Sequence, residues 1–405
     1  MPKRHRWPVN RSFAACCRFG IVPPLNRCYS VREGPLTLPA SLPARVCPMF
    51  LPTDSSRHRS PVPAESSFRE SDWLALAALW HPVAFAADVG AEPIAAKLLD
   101  VDLVVYRTPS GFSVARDVCP HRGARLSRGT VKGDMLVCSM HGLHFDGGGQ
   151  CRRIPSIADP KAHIPPGFRL QTVLTEVKYG IVWACLGGAP AWPLPHWDGI
   201  ERSNLRKVCF PVETWKTSAG RHVENFNDIS HFPWVHVASF GGDTEAPAPS
   251  YEVEQTAYGL SFWVPYTEGF NRFDDGIEGD TRDVVYRYEL TLPFATLLKI
   301  EPSGSNYVQY FADVASPVSA REARIFQLFT DTTGDPDEEF WRRDQRTINA
   351  EDIGLVEGQY PAELPLDLRA EMHIPADRMS IEYRRALVAK FGLGAPSREV
   401  GDVLG

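Results

Sequence analysis

Two stretches decide how this chain is read: Cys119-Pro-His-Arg-Gly-Ala-Arg-Leu126 and Cys138-Ser-Met-His-Gly-Leu-His-Phe145. Two Cys and two His in two close pairs can bind zinc or a two-iron, two-sulfur cluster. Zinc is the commoner use of such a set. Here, however, each loop supplies one ligand of each kind, Cys-x-His and then Cys-x2-His. A cluster with both thiolates on one iron and both imidazoles on the other needs that mixture. Cys119, His121, Cys138 and His141 are therefore the candidate cluster ligands. His144 and Cys151 lie just off the motif and read as structural, with His144 a secondary ligand candidate.

Around these loops the pattern is of short alternating strands. Val104–Arg107 and Phe112–Arg116 flank Thr108-Pro-Ser-Gly111, a hairpin signal with glycine at the turn. Met135–Cys138 and Gly180–Ala184 read as a second such pair, and Ser71–Trp80 as a short helix leading in. A small β domain over 71–190 with its chemistry on loop tips is the expectation. A Pro/Gly-rich linker, Gly187–His196, then leads to a second domain over 191–395, beginning near Asn204. Its strands are predicted at Leu260–Val264, Val284–Leu290, Tyr307–Phe311 and Ala323–Phe329. A long helix is predicted over Asp337–Glu357, with acidic residues at its start to suit the helix dipole. The fold class is α+β, one antiparallel sheet packed against helices around a pocket.

The second domain contains Val223-Glu-Asn-Phe-Asn-Asp-Ile-Ser-His-Phe-Pro-Trp-Val-His236. Two imidazoles with a nearby carboxylate suit a redox iron that keeps coordination positions open. Taken alone, His-x4-His is more often a loop with two packed histidines. On an unbroken helix His231 and His236 would diverge, since five residues advance about 500° and leave roughly 140° between them. Pro233 disfavours helix at Phe232, so a turn there could bring the rings together.

Cys-Pro-His-Arg-Gly-Ala with Cys-x-x-His-Gly-x-x-Phe resembles the Rieske domain of the Rieske non-haem iron oxygenases, and Ile154-Pro-Ser resembles that domain's exit. The likeness runs from about Trp73 to Phe391 and is greatest to the single-subunit-type group that includes phthalate dioxygenase and vanillate O-demethylase. Departures are Ser139-Met140 where Pro-Tyr is usual, and Leu143 where Trp is usual. The resemblance implies a helix-grip catalytic domain, with His231, His236 and Asp352 as ligands of a mononuclear Fe(II). Glu351 and Glu357 are the fallback for the carboxylate. It further implies that Asp228 links His231 to a Rieske histidine of the neighbouring chain in a head-to-tail homotrimer. Asn225 is a plausible neighbour of the iron site, or ordinary packing. Dioxygen is the implied co-substrate, and a small organic, aromatic molecule is hydroxylated, demethylated or dihydroxylated. The aromatic candidates for the pocket wall are Phe232, Trp234, Phe262 and Phe270. No Gly-x-Gly-x-x-Gly follows a strand, so NAD(P)H acts indirectly, through a separate reductase with or without a ferredoxin. The rival readings are an electron carrier without its own catalysis and a zinc-stabilised module.

Composition bounds the rest. Of 405 residues 43% are hydrophobic and 23% charged, ordinary for a globular chain, and no uninterrupted apolar run predicts a membrane span. Residues 1–60 hold ten Lys/Arg against two Asp/Glu, so the remainder carries 33 basic and 47 acidic residues, a net of −14. Such a body would repel nucleic acid and could offer acidic patches to a redox partner. Residues 1–70, rich in Pro, Arg and Ser, read as disordered, either a targeting segment or residues ahead of a start at Met49. Residues 396–405 read as a tail. Setting aside Cys16, Cys17, Cys28 and Cys47 leaves five cysteines, a sparse odd set that suits a reducing, cytoplasmic setting.

Overall fold

The alternating segments around Cys119 fold as strands, and β1 (His81–Phe85), β2 (Ile94–Leu98), β3 (Val101–Thr108) and β4 (Gly111–Arg116) come first. The β3–β4 hairpin turns at Pro109–Ser110, as its Pro/Gly signal predicts. Next, β5 (Thr130–Lys132), β6 (Met135–Val137), β7 (His144–Asp146) and β8 (Cys151–Arg153) form a four-stranded sheet of their own. The chain then returns through β9 (Thr172–Lys178) and β10 (Ile181–Cys185), completing a six-stranded sheet in the order β1-β10-β9-β4-β3-β2. The expected pairing of Met135–Cys138 with Gly180–Ala184 is corrected here. The first lies in β6, between β5 and β7, while the second lies in β10, between β1 and β9. Alternation identifies a strand, but partner choice is set by loops and packing.

The structure is a computed structural model that describes residues 61–159, 163–201, 205–269 and 281–394. Most of the proposed N-terminal extension, Asn204, Phe270 and the 396–405 tail lie outside them. The fold nevertheless starts earlier than Ser71. Val62 and Phe68 pack on the core, and the Ser67 hydroxyl donates to Asp100 Oδ2 (2.7 Å) while accepting from the Ala320 N–H (2.8 Å). Helix α1 (Glu70–Ala77) buries Trp73, whose indole N–H donates to Leu99 O (2.7 Å), and it ends short of the predicted Trp80 because β1 follows. No helix among the described residues is long and apolar enough to cross a membrane.

After α2 (Asp198–Glu201), β11 (Val208–Cys209) and β12 (Glu213–Trp215) come two helices, α3 (Ala219–Phe226) and α4 (Phe232–Val235). The strands β13 (Val253–Gln255), β14 (Gly259–Gly269), β15 (Thr281–Thr291), β16 (Ala295–Pro302), β17 (Gln309–Ser319) and β18 (Glu322–Asp331) then make an antiparallel sheet with β11 and β12. Each predicted strand falls inside one of these, except that the Tyr307 segment begins at Gln309. Helix α5 (Glu338–Glu357) starts where Asp337 accepts from the Phe340 N–H, and α6 (Arg378–Phe391) ends at Gly392 in the left-handed region.

β17 is buried along both faces. Residues 309, 311 and 313 alternate toward α3 and α5, while Tyr310, Ala312 and Val314 face the other way and pack with Phe85, Trp183 and Trp197. Burying one such aromatic side chain contributes about 2–3 kcal/mol of transfer free energy, so this seam ties the six-stranded sheet firmly to the larger one. Backbone contacts reinforce it: the Ser316 hydroxyl donates to Pro82 O (2.7 Å) and the Leu99 N–H to Pro317 O (2.8 Å).

Candidate metal centres

The two motif loops have the same internal geometry. The Cys119 N–H donates to Ala124 O (2.8 Å) and the Gly123 N–H returns to Cys119 O (2.9 Å). In the other loop the Cys138 N–H donates to Leu143 O (2.9 Å) and the Gly142 N–H to Cys138 O (3.0 Å). Each loop closes through a glycine at φ near +70°, a conformation that costs glycine nothing and other residues about a kcal/mol. Both sulfurs are buried, and burial pushes the Cys119 thiol up to about 11, with Cys138 beside it. Thiolates there need a cation. His121 and His141 are exposed, their rings edge to face at 4.6 Å. The four side chains thus split into a buried sulfur pair and an exposed imidazole pair, which fits a two-iron cluster better than a single zinc. His144 Nδ1, in β7, donates to Gly142 O (2.6 Å), and Cys151 is buried in β8, both in structural settings.

The second centre is built on α3, α4 and α5. Pro233 does not break the chain between His231 and His236. It sits in the first turn of α4, where a missing N–H costs no bond, and the turn is closed by Val235 N–H to His231 O (2.9 Å) and His236 N–H to Phe232 O (3.0 Å). The expected divergence is avoided because His236 leaves helical geometry at the C-cap (φ −90°, ψ 40°). The ring centroids are 5.1 Å apart.

Both outer nitrogens are held by carboxylates. His231 Nδ1 lies 3.2 Å from Asp228 Oδ2, and His236 Nδ1 lies 3.0 Å from Glu351 Oε2. Burial pushes Asp228 up, but His231 and the Ser230 donors outweigh it and hold the carboxyl low. Glu351 is likewise held low against its burial by His236, Ser239 and the Ala238 N–H. Each imidazole therefore gives its Nδ1 proton outward and points an Nε2 lone pair inward. The two Nε2 atoms face each other at 3.2 Å, and Asp352 Oδ1 lies 3.6 Å from each, buried and without a hydrogen-bond partner. Three ligand atoms converging this way can hold a cation, and two imidazoles with one carboxylate suit ferrous iron. Asp352 is thus the carboxylate brought to the histidines. Glu351 stands behind His236 instead, and Glu357 accepts from the Lys216 N–H (2.7 Å) at the far end of α5.

A cavity opens beside this triad, between α3–α5 and the inner face of β15–β18. Asn225 lines it, as do Phe232, Tyr286, Phe311, Phe329 and Trp341. Two of the predicted wall aromatics do not. Trp234 is 68% exposed, and Phe262 is buried in the core, stacked on Tyr288 at 4.6 Å. Sequence reasoning missed Glu351 as the partner of His236, and it missed the polar wall described below.

Comparison with known proteins agrees. A Rieske [2Fe-2S] domain model matches residues 79–173, and a vanillate O-demethylase oxygenase C-terminal domain model matches residues 215–390. The chain is 28% identical over 315 residues to methylxanthine N1-demethylase NdmA of Pseudomonas putida, covering 76% of this chain and 87% of that protein. It is 32% identical over 164 residues to a 5,5'-dehydrodivanillate O-demethylase oxygenase subunit of Sphingobium sp., 39% of this chain and 38% of that one. The solved structure of Pseudomonas putida CBB5 NdmA with caffeine matches with a TM-score of 0.70 at 27% identity, over 78% of this chain and 91% of that one.

Fold and sites together define an oxygen-activating iron enzyme with an electron relay in the same chain. The chain belongs to the Rieske non-haem iron oxygenases, with a Rieske domain followed by a vanillate O-demethylase-type catalytic domain. Its cofactors are a Rieske [2Fe-2S] cluster and mononuclear iron, its co-substrate is dioxygen, and its electrons come from NAD(P)H through a separate reductase. A carrier without its own catalysis or a zinc module would have no use for the second constellation.

Proposed function

We propose that this chain is a terminal oxygenase that hydroxylates or oxidatively demethylates a small aromatic compound. Cys119, His121, Cys138 and His141 hold the cluster, and His231, His236 and Asp352 hold the iron. The observation that carries the reading is the convergence of three potential ligand atoms, His231 Nε2, His236 Nε2 and Asp352 Oδ1, beside an aromatic cavity. When bound, the iron supplies reductive activation of dioxygen and the cluster supplies electrons one at a time.

The chain's own residues do the rest. Asp228 and Glu351 fix the tautomer of each ligand histidine by accepting a hydrogen bond from its Nδ1–H. Phe232, Phe311 and Phe329 exclude water from the reacting face. The exposed edges of His121 and His141 give electrons a short way in and out. The Asp228 side chain is 27% exposed, which supports a contact with a Rieske histidine of the next chain in a homotrimer. The relatives named as N- and O-demethylases support dealkylation over dihydroxylation. Division at about residue 190 and a cytoplasmic setting complete the reading.

The test is metal analysis joined to turnover. Three irons per chain, no oxygen uptake with NADH alone, and uptake with product once a surrogate reductase is added are expected. Two irons per chain, or full activity without a reductase, would sink it.

A further inference from the structure

The cavity beside the iron site has a polar wall of linked side-chain amides that ends on the Asp313 carboxylate. Gln345 Nε2 donates to Asn349 Oδ1 (2.7 Å), Asn349 Nδ2 to Gln327 Oε1 (3.0 Å), and Gln327 Nε2 to Asp313 Oδ2 (2.8 Å). Asp313 Oδ1 lies 2.8 Å from His222 Nε2. A carboxylate that already accepts from Gln327 can only accept again, so the proton of a neutral His222 sits on Nε2. Nδ1 is then an acceptor. It is buried and has no partner in a side chain only 2% exposed.

A second acceptor is fixed by similar logic. Tyr307 Oη donates to Asp331 Oδ2 (3.0 Å), so it accepts from Gln309 Nε2 (3.3 Å). That settles the orientation of the Gln309 amide and leaves Oε1 as its free end, buried and unpartnered in a residue 2% exposed. His222 and Gln309 both line the cavity that His231, His236 and Asp352 line. No Lys or Arg is among the described residues lining it.

We propose that the substrate is a neutral, flat ring compound bearing an N–H or O–H donor, read by His222 Nδ1 and Gln309 Oε1, and that aromatic carboxylates are rejected. This rests on the oxygenase reading of the pocket and specifies its substrate class. Away from the iron, a buried carboxylate would meet acceptors and no Lys or Arg among the described lining residues, a cost of several kcal/mol. A cation is disfavoured too. Asp313 is engaged by His222 and Gln327, Asp344 has interactions of its own, and the iron repels positive charge. Aromatic walls favour a planar body.

Three matched probes separate these terms: indole, 1-methylindole and indole-2-carboxylate, titrated into the iron-loaded protein under argon. Indole is expected to bind about fivefold tighter than 1-methylindole, the worth of one hydrogen bond to a neutral acceptor. The carboxylate is expected to bind at least ~100-fold more weakly than indole. In Gln309→Leu, with iron content unchanged, the preference for indole over 1-methylindole should fall below about twofold. A carboxylate that binds as tightly as indole, a preference untouched by Gln309→Leu and by His222→Phe alike, or no binding of any probe overturns the inference. Binding is read without turnover, whereas the oxygenase reading stands or falls on iron content and reductase-dependent oxygen uptake. The two failures are therefore distinguishable.

Discussion

At the scale of single residues, the proposed iron site depends on the side chains behind His231 and His236 as much as on those histidines. Glu351 accepts at His236 Nδ1 and also from the Ser239 hydroxyl (2.6 Å) and the Ala238 N–H (2.9 Å), so its carboxylate is fixed in place. Glu351→Ala frees the His236 ring and is expected to weaken iron binding about 10- to 100-fold while leaving the Rieske visible spectrum intact. Iron titration of the depleted protein reads it, and wild-type affinity would refute it. The role proposed for Asp228 is a different one. Asp228→Asn is expected to retain three irons per chain but to slow transfer from cluster to iron. A single-turnover rate equal to that of the wild type would remove Asp228 from the electron route. Neither role can be assigned from an isolated Glu-Asp or Asp-x2-His pair, because such pairs are usually solvated turns.

At the scale of elements, α4 and α5 explain what the pattern reveals and what it conceals. Helix α5 is predictable from its acidic start and length, and it forms where expected. Its inward stripe is Asp344, Gln345, Asn349 and Asp352, polar residues at helical spacing that turn toward the sheet. A polar stripe reads as a solvated face until the sheet is seen opposite it. In α4 the pattern conceals more, since Pro233 reads as a break in the sequence, whereas position within the first turn decides its effect. Its placement depends on Gly241, where an added Cβ would lie 2.6 Å from His236 O and 2.9 Å from Phe232 O. Both neighbours are backbone, so Gly241→Ala must displace α4. A stability loss of about 1–3 kcal/mol and partial loss of iron are expected, with the Rieske cluster retained. Unchanged iron occupancy would show that the turn can give.

At the scale of the whole molecule, the two sheets share one seam, and acid acts on it. His81 Nε2, in β1, donates to Leu76 O (2.9 Å), and the ring is buried against Phe294. Burial pushes its imidazole down to about 4. Its folded value lies below the unfolded one, so between these values the unfolded chain binds more protons and stability falls with pH. From pH 7 to pH 5 the loss from this group is about 2 kcal/mol. His81→Asn should remove that component, which denaturant unfolding at both pH values would measure. An equal pH dependence in the variant would place the acid sensitivity elsewhere.

The chain alone determined the cluster loops, because ligand chemistry and the closing glycines are both local, within six residues of each cysteine. It also determined the two histidines, most strands and α5, since periodicity is a property of neighbouring residues. Only the tertiary structure decided that β6 and β10 belong to different sheets, that Glu351 supports His236 while Asp352 faces both rings, and that Trp234 and Phe262 stay out of the pocket. The acceptor wall of His222 and Gln309 belongs with these. It is assembled from α3 and β17, 87 positions apart at those two residues, and its direction is set by Gln327 on β18 acting through Asp313 and by Tyr307 just ahead of β17. The physical reason is common to all of them. Hydrogen-bond direction and burial depend on which elements meet, and elements meet through packing that no local spacing encodes.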